Sequence, residues 1–568
     1  MVLAADMSSG MGVHRLHHGA GVVLGAIFER HSDTTSESPA RRAVFAEHET
    51  RAVLSSRGRC LTSNYWGNYV AIVVDSAAHE RYVVKDPTGS LPCYFTEHAG
   101  VLLVFSCVAD CHEMGLRFHL NWEFVRRRVI DGVYEVETNP FAEVRKVHRG
   151  EGVRFDRAGT CISRNFYWHP SSFCGADDLI TAPGVAVRAL RATIMSCVHS
   201  LASAHESVLQ QTSGGLDSSV VLGCLGRTPG GLTVTCYTDY IADAVCDERR
   251  WARYAAGSHR HIEFRLCPNE IDLRTMPTLA PSVDPASSFD HWHRGPKERQ
   301  LASEYGASAA FSGDGGDAVF CNTSYVLAVD HCIRRHGLGL EAFRIAILVS
   351  ARRDQTVWNI LGGALRRQHL GTRMREHRAS LSKMSALVHR DVMGSAAESL
   401  KEPAHFPNPW FSPGDRVPLE DILRLGMLAY APSFYDLSTS QRDAAPLPIA
   451  PLQAQPVFEV ARRIPVDIHF DRGCKRGLAR CAFSDVVPAP ILRRQWKDRP
   501  LSQGPLVVQR NLKYIRDLLL EGDLVKERIL DRDAVELALR NEVTLNRTLS
   551  EEVLQRVDLE LWVRRSMS

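Results

Sequence analysis

A chain of 568 residues, 45% apolar and 23% charged, has enough material for two domains with substantial cores. A formal charge of +3 is near balance and excludes any global field that would favour nucleic acid or a membrane surface. Fifteen Cys scattered singly exclude a disulfide framework and suit a reducing cytoplasm, the expected location.

In chain order, Met1 to Gly12 lacks the basic start and apolar core of a secretory signal, and no apolar run reaches bilayer length. Gly19 to Phe28 is apolar but bracketed by His17, His18, Glu29 and Arg30, which suits a buried strand. Tyr69 to Val74, Arg81 to Lys85 and Val101 to Phe105 are short β-branched or apolar runs between turn residues. They predict a β-rich unit over residues 1–165. Cys107, Cys111 and His112 lie close, but nothing downstream completes a zinc site, so free thiols are expected.

Tyr65 to Tyr69, Asp86 to Tyr94 and Phe105-Ser106 before Asp110 resemble landmarks of the glutamine-amidotransferase domain that precedes an asparagine synthetase domain. The resemblance implies an Ntn-type α+β sandwich. Glutaminases of that fold use the thiol and free amine of a Cys directly after the initiator Met. Here the second residue is Val2 and the first Cys is Cys60; a restart at Met7 or Met11 exposes Ser8 or Gly12. Thiolate is the attacking species in amide cleavage, so this half is expected to release no ammonia and to serve as a structural, substrate-contacting domain.

A link through Pro170-Ser171-Ser172 leads to Pro183-Gly184, and a second domain is expected over residues 180–568. Val187, Leu190, Ile194, Val198 and Leu201 recur at helical spacing. Val208 to Gln210, Leu232 to Thr238, His261 to Leu266 and Ala307 to Phe311 alternate with helical segments such as Asp247 to Ala256. That alternation predicts an α/β unit with a doubly wound parallel sheet. Asp247-Glu248 opens a helix, where carboxylates suit the dipole and need no catalytic role. Beyond residue 320 the pattern is mostly helical, broken at Pro403, Pro407, Pro409, Pro413 and Pro418. Arg352, Arg353, Arg366, Arg367, Arg373, Arg375 and Arg378 read as a solvated helix face, with an acidic-peptide surface as the sharper alternative. RNA is unsupported there, because only Trp358 offers a stacking ring.

Two loops carry the chemistry. Gln211-Thr212-Ser213-Gly214-Gly215-Leu216-Asp217-Ser218-Ser219 sits between an apolar run and a helical pattern. Its glycines admit a phosphate chain to backbone N–H groups, its serines offer hydroxyls, and the next helix aims its positive end there. Asp217 repels phosphate unless Mg²⁺ bridges the two. The loop therefore reads as a magnesium–nucleotide cradle, distinct from the Walker form with its Gly-Lys-Ser/Thr ending; the bland alternative is a strand-to-helix turn. Phe311-Ser312-Gly313-Asp314-Gly315-Gly316-Asp317 also follows a short apolar run. Loops at the ends of parallel strands meet at one crevice of a doubly wound sheet, where Asp217 and Asp317 are expected to share metal.

Ser213 to Ser219 resembles the ATP-pyrophosphatase loop, and Ser312 to Asp317 the second signature of asparagine synthetases and their relatives. Such enzymes cleave ATP between its α- and β-phosphates and form an acyl-adenylate. The resemblance implies ATP and Mg²⁺ as cofactors and Asp217 and Asp317 as metal ligands. It also implies Ser213, Gly214, Gly215, Ser218, Ser312 and Gly313 at the nucleotide, with Gln211 and Thr238 on the adenine side. Val487 to Lys497 resembles a Pro-rich stretch ending in a catalytic lysine, and Lys497 is the match. There it would lay positive charge against the oxyanion formed as an amine attacks. The plainer reading makes it part of a basic patch with Arg493, Arg494 and Arg499. Lys475 and Arg476 read equally as holders of pyrophosphate or as surface charge.

Asparagine synthetases carry Glu at the position of Asp314 and β-lactam synthetases carry Tyr. Ser-Gly-Asp-Gly-Gly-Asp instead resembles lasso-peptide macrolactam synthetases. Pro451-Leu452, Gln455-Pro456-Val457 and Arg463-Ile464-Pro465 resemble further landmarks of that group, and the likeness runs over most of residues 60–500. It implies that an Asp or Glu side chain of a precursor peptide is adenylated and captured by the peptide's own α-amine, which titrates near neutrality. A leader peptidase and a leader-binding protein of the same pathway are the implied partners. The rivals are an amide ligase for a small molecule, of β-lactam-synthetase type or otherwise, a glutamine-independent asparagine synthetase relative, and an idle peptide-binding scaffold.

Overall fold

The computed structural model describes residues 12–31, 35–131, 139–173, 178–241, 247–267, 270–278, 289–322, 325–351, 355–370, 387–388, 392, 446–470, 474–494, 504–540 and 547–567. The first sheet is antiparallel and six-stranded, in the order β1 (Val13–Arg15), β2 (Gly21–Glu29), β3 (Tyr65–Asp75), β4 (Glu80–Lys85), β8 (Glu151–Phe155), β9 (Cys161–Phe166). Its long β2–β3 ladder runs from Gly21↔Val73 to Glu29↔Tyr65. A second sheet joins β6 (Val101–Phe105), β5 (Tyr94–His98) and β7 (Arg145–Lys146). Side-chain alternation explains the sandwich. Tyr69, Ala71, Val73, Tyr82 and Val84 face one core with Val53 and Leu61. Their neighbours Val70 and Val83 turn the other way, onto Phe95, Val153 and Phe155.

The third sheet is parallel, in the order β12 (Arg260–Arg265), β11 (Thr233–Tyr240), β10 (Ser207–Gln211), β13 (Ala309–Phe311), β14 (Leu447–Ile449). The chain moves outward from β10 to β12 and then returns to β13 on the opposite side of β10. That reversal is a topological switch point, and the loops after β10 and β13 flank it. The sheet extends the sequence reading by one strand, β14. Three residues long and containing Pro448, it gives almost no periodic signal.

Helix α1 (Pro183–Ala202) carries the expected apolar stripe, and its second half is buried on every side, Ser196, His199 and Ser200 included. Against the expectation that no apolar run reaches bilayer length, α1 is by length and composition able to cross a membrane, but 72% of its apolar stretch is buried, as in a core helix. It packs against helix α2 (Leu216–Leu225), which in turn touches α3 (Arg249–Ala256), and against helix α4 (Gln455–Arg463).

The cores of the two halves are continuous. Phe28 and Trp66, stacked at 4.9 Å, belong to the same apolar cluster as α1 and the parallel sheet. The last helix, Arg547–Met567, inserts Trp562 against Phe124 and Phe141, with ring centroids 6.0 and 5.9 Å away. A buried polar knot joins the halves as well. Glu459 accepts both Arg30 terminal nitrogens (2.6 and 2.8 Å), the Trp168 indole (2.8 Å) and the Gln455 amide (2.9 Å).

Cys107 and Cys111 are buried, and burial pushes the Cys111 thiol up to about 12. No group of three or more metal-ligating side chains occurs among the described residues. Arg366 is exposed as expected, but Arg367 is not simply solvated: it pairs with buried Asp330 at 2.6 and 2.8 Å. Arg352, Arg353, Arg373, Arg375, Arg378 and the proline-broken stretch lie outside the described residues.

Candidate active site

The loop after β10 begins where the Thr212 N–H donates to the Tyr237 carbonyl (2.9 Å), and it ends at Gly215, the N-cap of α2. Ser213 and Ser218 hydroxyls lie 3.2 Å apart, and the Ser219 hydroxyl donates to the Gly215 carbonyl at 2.7 Å. Gly214 sits at φ +66°, and a Cβ there would stand 2.4 Å from the backbone carbon of Trp251 on α3. Only glycine meets both conditions.

The loop after β13 is tied to β14 by the Ser312 N–H donating to the Ile449 carbonyl (3.0 Å). It then closes on the first loop. A Cβ at Gly313 would lie 2.5 Å from the Ser218 nitrogen, and one at Gly316 would lie 2.4 Å from the Asp217 carboxyl carbon. The family resemblance places Gly214, Gly215 and Gly313 at the nucleotide; the geometry gives Gly214, Gly313 and Gly316 a packing role, while a Cβ on Gly215 would meet, among the described residues, just the Ser213 hydroxyl at 3.2 Å.

Asp217 and Asp317 converge on Arg476. Its Nη1 donates to Asp217 Oδ1 at 2.5 Å and its Nη2 donates to Asp317 Oδ1. Asn322 also donates to that oxygen, at 2.8 Å. Arg476 adopts φ +55°, a left-handed conformation uncommon for a side chain of its size. The sequence reading left Arg476 undecided between pyrophosphate and surface charge. With 14% side-chain exposure, bridging two acids from distant loops, it belongs to the site. Its adjacency to Lys475 gave no local clue.

Two carboxylates meeting one cation form a hard-oxygen donor set. Mg²⁺ takes one or two carboxylates and fills its octahedron with phosphate oxygens and water. The residues present fit that pattern. Asp314 is exposed, and its Oδ2 accepts the Ser312 hydroxyl at 2.7 Å.

On the expected adenine side, Gln211 ends β10 and Thr238 lies near the end of β11. The Thr238 hydroxyl is already engaged, donating to the Thr212 carbonyl (2.5 Å) and lying 2.8 Å from His261 Nε2. Burial holds the His261 imidazole below its ordinary pKa. Lys497 lies outside the described residues.

Three residues before it, Arg494 is buried. It pairs through Nη2 with Glu248 and through Nη1 with the Gly214 carbonyl (3.3 Å), and its guanidinium carbon sits 4.7 Å from the Trp251 ring centroid. Glu248, read from sequence only as a dipole-compatible helix start, is thus an ion-pair partner across 246 positions. No local pattern could reveal it.

The sequence model of the asparagine synthase family matches residues 189–564. A carboxyethyl-arginine beta-lactam-synthase of Streptomyces clavuligerus is 29% identical over 260 residues, covering 41% of this chain and 46% of that protein. The chain therefore spans about half the length of the relative it matches. A family match over more than half the chain, on a parallel sheet whose two switch-point loops bring their aspartates together, makes this chain a member of the asparagine synthase family.

Proposed function

We propose that this protein is an ATP-dependent, AMP-forming amide ligase, and more finely a macrolactam synthetase that closes an isopeptide ring on a precursor peptide. Family membership supports ATP-dependent amide-bond formation as the class of chemistry. The observation that carries the reading is Arg476 touching Asp217 and Asp317 at once, which brings both acids to the switch point where a polyphosphate would lie.

In this reading Asp217 and Asp317 hold Mg²⁺, which when bound neutralises phosphate charge. Gly215 N–H and the Ser213 and Ser218 hydroxyls orient the phosphate chain at the start of α2. Arg476, released from the acids, is the cation for departing pyrophosphate. Lys497 supplies positive charge to the reacting carbonyl. Asp314, exposed on the second loop, docks the incoming ammonium; an α-amine needs less help losing a proton than an amide nitrogen. The Asp at this position favours a peptide α-amine as nucleophile, with a leader peptidase and leader-binding protein delivering the core peptide.

The match to the Streptomyces protein favours a second reading, ring closure of a small molecule. ATP–pyrophosphate exchange tests both, with Asp217→Ala as the inactive control. The proposal expects exchange dependent on a peptide bearing an Asp or Glu acceptor. Exchange driven by a free amino acid supports the second reading, and absence of any exchange refutes the ligase assignment.

A further inference from the structure

We propose that Arg494, held by Glu248 and Trp251, is a positioning residue that sets the phosphate loop for its nucleotide. The inference deepens the reading above and rests on it. The Gly214–Gly215 peptide is trans, so the Gly214 carbonyl and the Gly215 N–H leave opposite edges of one plane. Arg494 Nη1 donates to that carbonyl at 3.3 Å. Fixing the carbonyl on the protein side turns the Gly215 N–H to the other side, toward the Ser213 hydroxyl, to which it donates. Together that N–H and the Ser213 hydroxyl, which it meets at 3.3 Å, make the polar edge at the start of α2.

Three contacts keep the guanidinium from swinging away. Glu248 takes its second nitrogen, Trp251 lies beneath its face, and the segment carrying it is stapled by Arg480. Arg480 donates to the Arg494 carbonyl at 2.7 Å and to the Leu492 carbonyl. Trp251 acts twice, because its backbone also abuts Gly214. The side chain of Arg494 is 3% exposed, so its direct partner is the loop rather than a ligand. A lysine at 494 keeps the charge but lacks the planar fork that reaches Glu248 and Gly214 together while stacking on a ring.

The test is equilibrium binding of Mg·ATP and of AMP to the full chain, wild type against Arg494→Lys and Glu248→Gln, with thermal melts alongside. A loop-setting role predicts about tenfold weaker Mg·ATP binding for Arg494→Lys and about threefold for Glu248→Gln, with AMP affinity within twofold of wild type. AMP lacks the β- and γ-phosphates, so its affinity reports general damage. Equal weakening of both ligands, or unchanged Mg·ATP affinity, overturns the proposal. Should Arg494→Lys fail to fold, Glu248→Gln decides by the same pattern. A wild type that binds neither ligand sinks the nucleotide reading and this inference together; binding unchanged in the variants sinks this inference alone.

Discussion

Gly313→Ala is the sharpest probe of the contact between the two loops. Gly313 is not among the glycines with positive φ, so its backbone accepts alanine without strain. The obstacle is purely steric: the added methyl would sit 2.5 Å from the Ser218 nitrogen and 2.9 Å from the Asp217 carbonyl carbon. Ordinary contact begins at 3.4 Å, so the loops must part by about 0.9 Å, and both obstacles are backbone. Overpacking of this kind costs about 1–3 kcal/mol of stability, which a cooperative fold of this size tolerates. Displacing one reacting group by about 1 Å costs on the order of 100-fold in rate. The expected outcome is a folded protein whose ATP–pyrophosphate exchange kcat falls about 100-fold. Gly339→Ala is the matched control, since a Cβ there meets nothing within 4 Å among the described residues and φ is −136°. An exchange rate for Gly313→Ala within threefold of wild type would show that the loops do not act as one site.

Arg476→Met leaves Asp217 and Asp317 without their shared cation, so the nucleotide-free protein should bind Mg²⁺ about tenfold more tightly by calorimetric titration, about 1.4 kcal/mol. Unchanged affinity would mean that the acids do not form one cation site. Glu459→Gln strips the charge that answers Arg30 and should cost about 3 kcal/mol in urea denaturation, because the guanidinium is left half-buried beside a neutral amide; a loss under 1 kcal/mol would remove the knot from the account of how the halves adhere. His205 is held down to about 4 by burial, aided by the Arg42 charge, so the unfolded chain takes up a proton between pH 6.5 and about 4 that the folded chain refuses. Its stability contribution is therefore complete above pH 6.5 and declines as pH falls through that window, by about 2 kcal/mol at pH 5. His205→Gln should flatten that part of the stability–pH curve, and an unchanged slope would contradict it.

The sheet-forming runs and both loops were legible because their signals are local. β10 and β13 end short apolar runs closed by small-residue loops, β11 and β12 alternate with helical segments, and the α1 stripe repeats at helical spacing. β14 escaped because three residues around a proline have no period. In the site, Asp217 and Asp317 stand out because a carboxylate in a glycine-rich loop asks for a cation. Arg476, Arg494 and Glu248 do not, because an arginine among arginines or an acid at a helix start has an ordinary explanation. Their partners lie 159 to 259 residues away, and only folding brings them together. The glycine assignments show the same limit. Sequence marks where a side chain is intolerable, but not whether a ligand or another backbone fills the space.

That distinction bears on how the site is built. Were Gly214, Gly313 and Gly316 all reserved for phosphate, each loop could hold its shape alone and the acids would meet only when metal joined them. Instead the glycines let the first loop press on α3 and the second loop press on the first, so the positions of Asp217 and Asp317 are coupled by backbone contact before any ligand arrives. Two carboxylates held near one another repel, and a guanidinium between them offsets that repulsion. Arg476 fills that role on a backbone of sparse conformation, which the carboxylates help to hold. In the proposed reading a cation displaced from the acids by metal would be free for the phosphate chain, so the contact that offsets their repulsion would also deliver positive charge to the nucleotide.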